Sequence, residues 1–270
     1  MSQSQAFNIE KGHSLAGSTV PLQVQKTLGM REAWMLHLAD NNLILSQRNS
    51  EWCGHGPVLE QDIAITNISL DLLGQARNFY QYAAVLLGNT DEDKLAYLRT
   101  EREFKNLLLV EQPNADWAQT VLRQYLFSQF QYLLFEQLQQ HPDEQLVAIT
   151  AKALKEIKYH VRWSSEWVVR LGDGTEESHL RMEKAIAELW PYTGEMFAAA
   201  DYEKQPGIDL TLIKDEWINK VAAVFEEATL QIPSGIFMQS GGKNGVHTEH
   251  MGYLLSALQY LQRTYPGCEW

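Results

Sequence analysis

The chain has only two cysteines, Cys53 and Cys268, which lie far apart and form neither a CxxC pair nor a zinc-ligand pattern. A disulfide framework is therefore excluded, and free thiols in a reducing compartment are expected. Basic residues are also scarce, with 22 Lys and Arg against 34 Asp and Glu, a net charge of −12. No Lys/Arg stripe of the kind that neutralises phosphates is visible, so nucleic acid is not an expected partner. No run approaches the roughly 20 apolar residues that span a bilayer, and no apolar stretch of signal-peptide length opens the chain. A cytoplasmic protein with no membrane contact is expected. GxSxG, the GxGxxG fingerprint and the kinase motif set are missing too, which removes the main support for hydrolase, dinucleotide-binding and phosphoryl-transfer readings.

What is present is helical. Apolar residues recur at three- and four-residue spacing in nearly every long segment, while strand-length alternation is rare. At 270 residues and 45% hydrophobic content, one large domain can bury a substantial core. The polar, Gly/Ser-punctuated residues 1–21 read as a disordered tail, and 22–270 as a single all-α domain. Breakers place the helices. The first runs from about 22 to 50, ended by Gly54 to Pro57. The second runs from Val58 to Gly88. A connector from Asp91 to Asn114 carries a short charged helix. Asp116 caps a third helix that reaches His141, and a fourth opens near Asp143 and stops at LGDGT. Helices near 176–200 and 209–230, a GGKNG loop and an amphipathic helix from Thr248 complete the chain.

Four long helices with acids near their middles suggest a ferritin-like four-helix bundle core with additional C-terminal helices. A di-iron site on that scaffold needs a glutamate from each of two helices and Glu-x-x-His from each of the other two. The candidates are Asp40, Asp71, Glu156 and His160. Asp71 is followed at i+3 by Gly74, and no histidine lies between Val58 and Gly88. The third helix has Ser128 and Gln129 at its middle, with Glu136 near its end. Tyr159 stands at i+3 from Glu156, and His160 comes one residue later, rotated by about 100°. Four ligands fall short of a di-iron centre, which favours buried polar groups paired with cations such as Lys152 or a protonated His160. The rival reading is an autonomous oxidoreductase holding a single iron or manganese on those four residues. An iron-storage protein suffers from the same missing ligands.

Two weaker signals remain. His247, Glu249 and His250 at the start of the closing helix form either an acid/base or metal cluster, or first-turn capping and surface residues. The loop Gly241 to Gly245 is either a phosphate or CoA cradle with Lys243 in reach, or a plain helix-entry turn.

The stretches DNNLILSQRNSEWCGHGPVLEQDIAITNISLDLLGQARNFYQYAA, NLLLVEQPN, AKALKEIKYHVRWSSEW, GGKNGVHTEHMG and the terminal PGCEW, in that order, closely resemble the C subunits of the ring 1,2-phenylacetyl-CoA epoxidases of aerobic phenylacetate breakdown. The resemblance covers about residue 28 to the C-terminus. It implies a ferritin-like subunit that binds no cofactor and is not catalytic. Such a subunit pairs in a heterodimer with a similar di-iron A subunit and keeps it active. The A subunit epoxidises the CoA ester with O2 and with electrons that a reductase subunit takes from NADPH. An apolar face on the first two helices is the expected contact, with Trp34, Trp52, Phe79 and Tyr80 as anchor candidates or as ordinary core.

Overall fold

The computed structural model describes residues 28–268. These fold into helices without a strand: α1 Met30–Ser50, α2 Leu59–Leu87, α3 Glu92–Tyr97, α4 Leu108–Glu111, α5 Trp117–Leu138, α6 Glu144–Gly172, α7 Glu176–Leu189, α8 Leu210–Glu227 and α9 Glu249–Thr264. Helices α1 and α2 form one antiparallel pair and α5 and α6 another. A long crossover carrying α3 and α4 joins the pairs, which is the ferritin-like connection. No helix among the described residues is long and apolar enough to cross a membrane.

Local chemistry sets the ends. Asp116 and Asp143 accept hydrogen bonds from the first-turn amides of α5 and α6, satisfying donors that a helix start leaves open. Gly88 closes α2 in the left-handed region at φ 76°, where a side chain would be strained. The first helix begins at Met30 behind the N-cap Gly29, later than the expected residue 22; residues 22–27 and the expected tail 1–21 lie outside the described residues. The helix anticipated over 176–200 ends at Leu189. Pro191 has no N–H to continue the ladder, and short 3-10 turns follow to Phe197.

The molecule is layered. α2 and α6 form an outer layer, α1 and α5 a middle one, and the crossover, α7, α8 and α9 a third. Being covered on both sides, α1 and α5 are buried almost along their whole lengths, Asp40, Asn42, Asn49, Arg123 and Gln131 included. That is why neither shows a clean apolar stripe, whereas α6, with one face in water, does. Trp34, Phe79 and Tyr80 lie inside this core, and Trp52 is half-buried with its indole N–H donated to Thr120. These four rings pack the fold, which corrects their candidacy as partner anchors.

Trp217 of α8 shows how the third layer is attached. Its ring packs on Trp190 and Phe197, and its N–H donates to the Leu126 carbonyl of α5 at 3.0 Å. Trp217→Ala removes this contact and leaves a cavity, and should destabilise the fold by about 3–5 kcal/mol in urea titration monitored by circular dichroism.

Candidate functional site

The centre of a ferritin-like bundle is where four helices can converge on one metal pair. A relay of hydrogen bonds crosses all four helices there. Gln131 of α5 donates Nε2–H to Asn42 Oδ1 of α1 at 2.7 Å and to Gln75 Oε1 of α2 at 3.2 Å. Gln75 in turn donates to Glu156 Oε2 of α6 at 2.9 Å. The level of the site on α2 is therefore Gln75, one helical turn past Asp71. Asn78 and Tyr159 stand three residues on from Gln75 and Glu156, where a di-iron scaffold places its histidines, and Tyr159 turns outward.

Three of the four groups in the relay are amides. An amide N–H cannot ligate a metal, and one carboxylate cannot balance two irons. The cavity beside Asn42 and Gln131 measures about 10 Å³, room for about one water. These residues do not fit a di-iron centre. The buried amide N–H groups are instead taken up by neighbouring acceptors, while Gln131 Oε1 has no hydrogen-bond partner.

The four acids and histidines singled out by sequence go to three places. Asp40 lies two residues from Asn42, about 200° around the helix, and so faces the crossover. There its carboxylate pairs with the buried Arg99 guanidinium and accepts from Tyr80 OH at 2.6 Å and the Lys105 amide at 2.8 Å. Burial and the Asp40 charge hold the Tyr80 phenol well above its usual range, so it stays a donor. Asp71, half-exposed, bonds His160 Nε2 at 3.1 Å, and the second nitrogen of that ring makes no hydrogen bond. Metal-bound histidines ordinarily donate that nitrogen to an outer partner. Glu156 belongs to the relay. Among the described residues no three His, Cys, Asp or Glu side chains group so as to hold a metal ion. The cation beside the buried acid is Arg99, from the crossover. Lys152 is exposed and enters no ion pair among the described residues, so the pairing anticipated for it with Glu156 is corrected.

His247 has the partner that its neighbourhood in sequence did not reveal. Glu111, fully buried at the end of α4, accepts from His247 Nδ1 at 2.7 Å, Asn106 Nδ2 at 2.9 Å, and the Thr248 amide and hydroxyl at 2.6 and 2.8 Å. His247 Nε2 meets the Phe104 carbonyl at 3.1 Å. Both ring nitrogens therefore face acceptors, which suits the imidazolium. Burial opposes that charge, but the hydrogen bond and charge of Glu111 prevail and raise the His247 pKa. Glu249 opens α9 and is exposed. His250 contributes its carbonyl, at 3.4 Å from Arg48 Nη2.

The GGKNG loop does cradle an anion, but the anion is the chain's own. Glu195 accepts the amides of Gly241 and Lys243 at 2.7 and 3.3 Å. The Lys243 ammonium is buried and bonded to Glu203 at 2.7 Å and to the Ala198 and Met196 carbonyls. The Lys243 ammonium, expected within reach of a phosphate or CoA, is thus turned inward onto the chain's own acceptors. A Cβ at Gly242 or Gly245 would lie 2.2 or 2.1 Å from a crossover carbonyl, which explains both glycines by close backbone approach.

Comparison with known proteins decides the family. The model of the phenylacetic acid catabolic protein family matches residues 25–270. The chain belongs to that family. It is also 50% identical over 243 residues to the C subunit of 1,2-phenylacetyl-CoA epoxidase from Escherichia coli (strain K12), covering 88% of this chain and 98% of the relative.

The buried pairs can be tested by their energetics. Asp40→Leu strands the Arg99 charge in the interior and should cost about 3–5 kcal/mol. The double variant Asp40→Leu/Arg99→Leu should recover part of that loss, read as a coupling energy from urea titrations. For His247 the folded pKa lies above the unfolded value near 6.5. Its stabilisation is thus complete below that value and is lost as pH rises through the folded one. His247→Gln should therefore destabilise the protein more at pH 6 than at pH 9, measured by the same titrations.

Proposed function

We propose that this chain is the non-catalytic C subunit of a multi-subunit 1,2-phenylacetyl-CoA epoxidase, working in the cytoplasm in phenylacetate breakdown. It pairs with a di-iron A subunit and stabilises it, and the oxygenation of the CoA ester, with O2 and NADPH-derived electrons delivered by a reductase subunit, takes place in that partner. The observation carrying this reading is the relay Asn42, Gln131, Gln75 and Glu156 at the level where the bundle would build its metal site. Amides are close in shape to carboxylates but lack their charge, so the bundle keeps its geometry while losing its affinity for metal. The family membership and the 50% identical relative support the pathway and the type of subunit.

The rival reading, an oxidoreductase with one iron or manganese on Asp40, Asp71, Glu156 and His160, has less to support it, since those groups are engaged at three separate places. The test is elemental analysis of the purified chain together with turnover of phenylacetyl-CoA. Below about 0.1 iron or manganese per chain is expected, with turnover only when the A and reductase subunits are added. Near-stoichiometric metal that Glu156→Ala removes would overturn the reading.

A further inference from the structure

α9 is lightly seated on the bundle. Of its 16 residues only Met251, Leu254, Leu255 and Gln259 are buried, while Tyr253 and Tyr260 are 77% and 60% exposed. Open clefts of about 600 and 480 Å³ flank the helix, one against Lys94 and Tyr97 of α3, the other against Thr100 and Glu101. With so little apolar area buried, polar contacts decide whether α9 stays in place. Gln259 and Arg263 anchor its C-terminal half on the Ala96, Leu98 and Arg99 carbonyls of the crossover. Its N-terminal end is held by Glu111, through His247 and Thr248.

His247 is the contact whose strength depends on a proton. Its Nδ1 lies 2.7 Å from the Glu111 carboxylate and its Nε2 3.1 Å from the Phe104 carbonyl. An imidazolium donates to both. A neutral imidazole has a single N–H, so either tautomer leaves a ring lone pair facing an oxygen lone pair inside the protein. Loss of the proton therefore turns one of the two contacts repulsive and takes a neutralising charge from the buried carboxylate.

The groups around the ring offer no substitute for that proton. Glu111 of α4 and Asp40 of α1 favour the cation against burial. Arg48 of α1 is committed to the Glu111 and His250 carbonyls. In the crossover, Glu103 accepts from the Thr100 amide, Lys105 lies over the Tyr202 ring, and Glu101 and Arg102 are exposed. Lys243, in the loop ahead of α9, is paired with Glu203. On α9 itself Glu249 is exposed and His250 half-buried. Besides His247, the donors to the Glu111 side chain among the described residues are the neutral groups of Asn106 and Thr248.

Release of α9 leaves the bundle whole. The partners of the Asp40 carboxylate are Arg99, Tyr80 and the Lys105 amide, and the Arg99 guanidinium is completed by the Leu95 and Glu103 carbonyls. None of these lies on α9, which meets that network only at the Arg99 carbonyl.

We propose that α9 is a proton-controlled strap: the His247 imidazolium latches it to Glu111, and loss of that proton lets α9 detach as a unit, uncovering the crossover from Ala96 to Phe104. The closed form holds the proton more tightly than the open one, whose value is near 6.5. Opening is therefore least favoured below that pH and increases as pH rises through the closed-form value.

The test is hydrogen–deuterium exchange of the full chain, read by mass spectrometry at pH 6 and pH 9, with protection corrected for the intrinsic exchange rate at each pH. Expected is a fall of at least roughly fivefold in the protection of α9 peptides between the two, while those of α1 and α5 keep theirs. In His247→Gln, α9 should be weakly protected at both pH values. Thr248→Val removes a hydroxyl donor to Glu111 but leaves the ring, and should lower α9 protection with its pH dependence retained. Wild-type α9 protection that is the same at pH 6 and pH 9 would overturn the strap. A fall shared equally by α1 and α5 would sink it as well, since the helix then does not open alone. Persistence of the pH dependence in His247→Gln would move the effect to another group and remove the latch. If His247→Gln does not fold, the wild-type chain and Thr248→Val still decide between these outcomes.

Discussion

Asp40 is a carboxylate with no exposure to water, set among the apolar residues of α1, and its charge is sustained by the equally buried guanidinium of Arg99. Such a pair is stable only while both partners remain in place and their remaining hydrogen-bond capacity is filled. Filling it draws in distant parts of the chain. Tyr80 and the Lys105 amide complete the carboxylate, and Arg99 also donates to the Leu95 and Glu103 carbonyls. The Arg99 carbonyl then accepts from Gln259 and Arg263 of α9. One ion pair thus ties the first helix, the crossover and the last helix into a single arrangement.

Glu111 and Glu195 repeat the device. Each is a buried carboxylate saturated by donors from segments far away in sequence, Thr248 and His247 in one case, Leu108, Gly241 and Lys243 in the other. The third layer is held to the bundle as much by these carboxylates as by apolar packing around Trp217. Their energetic importance lies in the cost of an unpartnered charge, which exceeds the net gain of any one hydrogen bond. The His37 ring follows the same logic with the opposite outcome. Burial lowers its pKa, and the neutral ring donates Nδ1–H to the Lys105 carbonyl while Nε2 accepts from Asn41.

The helices were legible in the sequence because their boundaries are local chemistry: Asp116 and Asp143 as caps, Gly88 as a left-handed stop. The partners in the interior were not. Arg99 lies 59 residues from Asp40 and Glu111 lies 136 from His247, and no periodicity encodes which distant groups meet. The relay escaped for a different reason. Counting acids and histidines leads to Asp71, whereas the groups that meet at the bundle centre are Gln75 and Gln131, which look like ordinary polar residues of long helices. The useful signal was available in a weaker form: glutamines and asparagines in segments too apolar to face water.

The relay also bears on why a bundle of this kind keeps a polar centre at all. Replacing Asn42, Gln75 and Gln131 by apolar residues would leave Glu156 without its partner, and each amide alone would be an unsatisfied group. The N–H groups of Gln131 and Gln75 are taken up by Asn42, Gln75 and Glu156, so removal of one member strands its neighbour, while Gln131 Oε1 is left without a partner. Charge is the difference between the two outcomes. Four carboxylates at this level would repel one another until metal bound, making the fold depend on iron. Three amides and one carboxylate at the edge, bonded in sequence, carry far less mutual repulsion at the same level. The polarity of the centre therefore serves helix register.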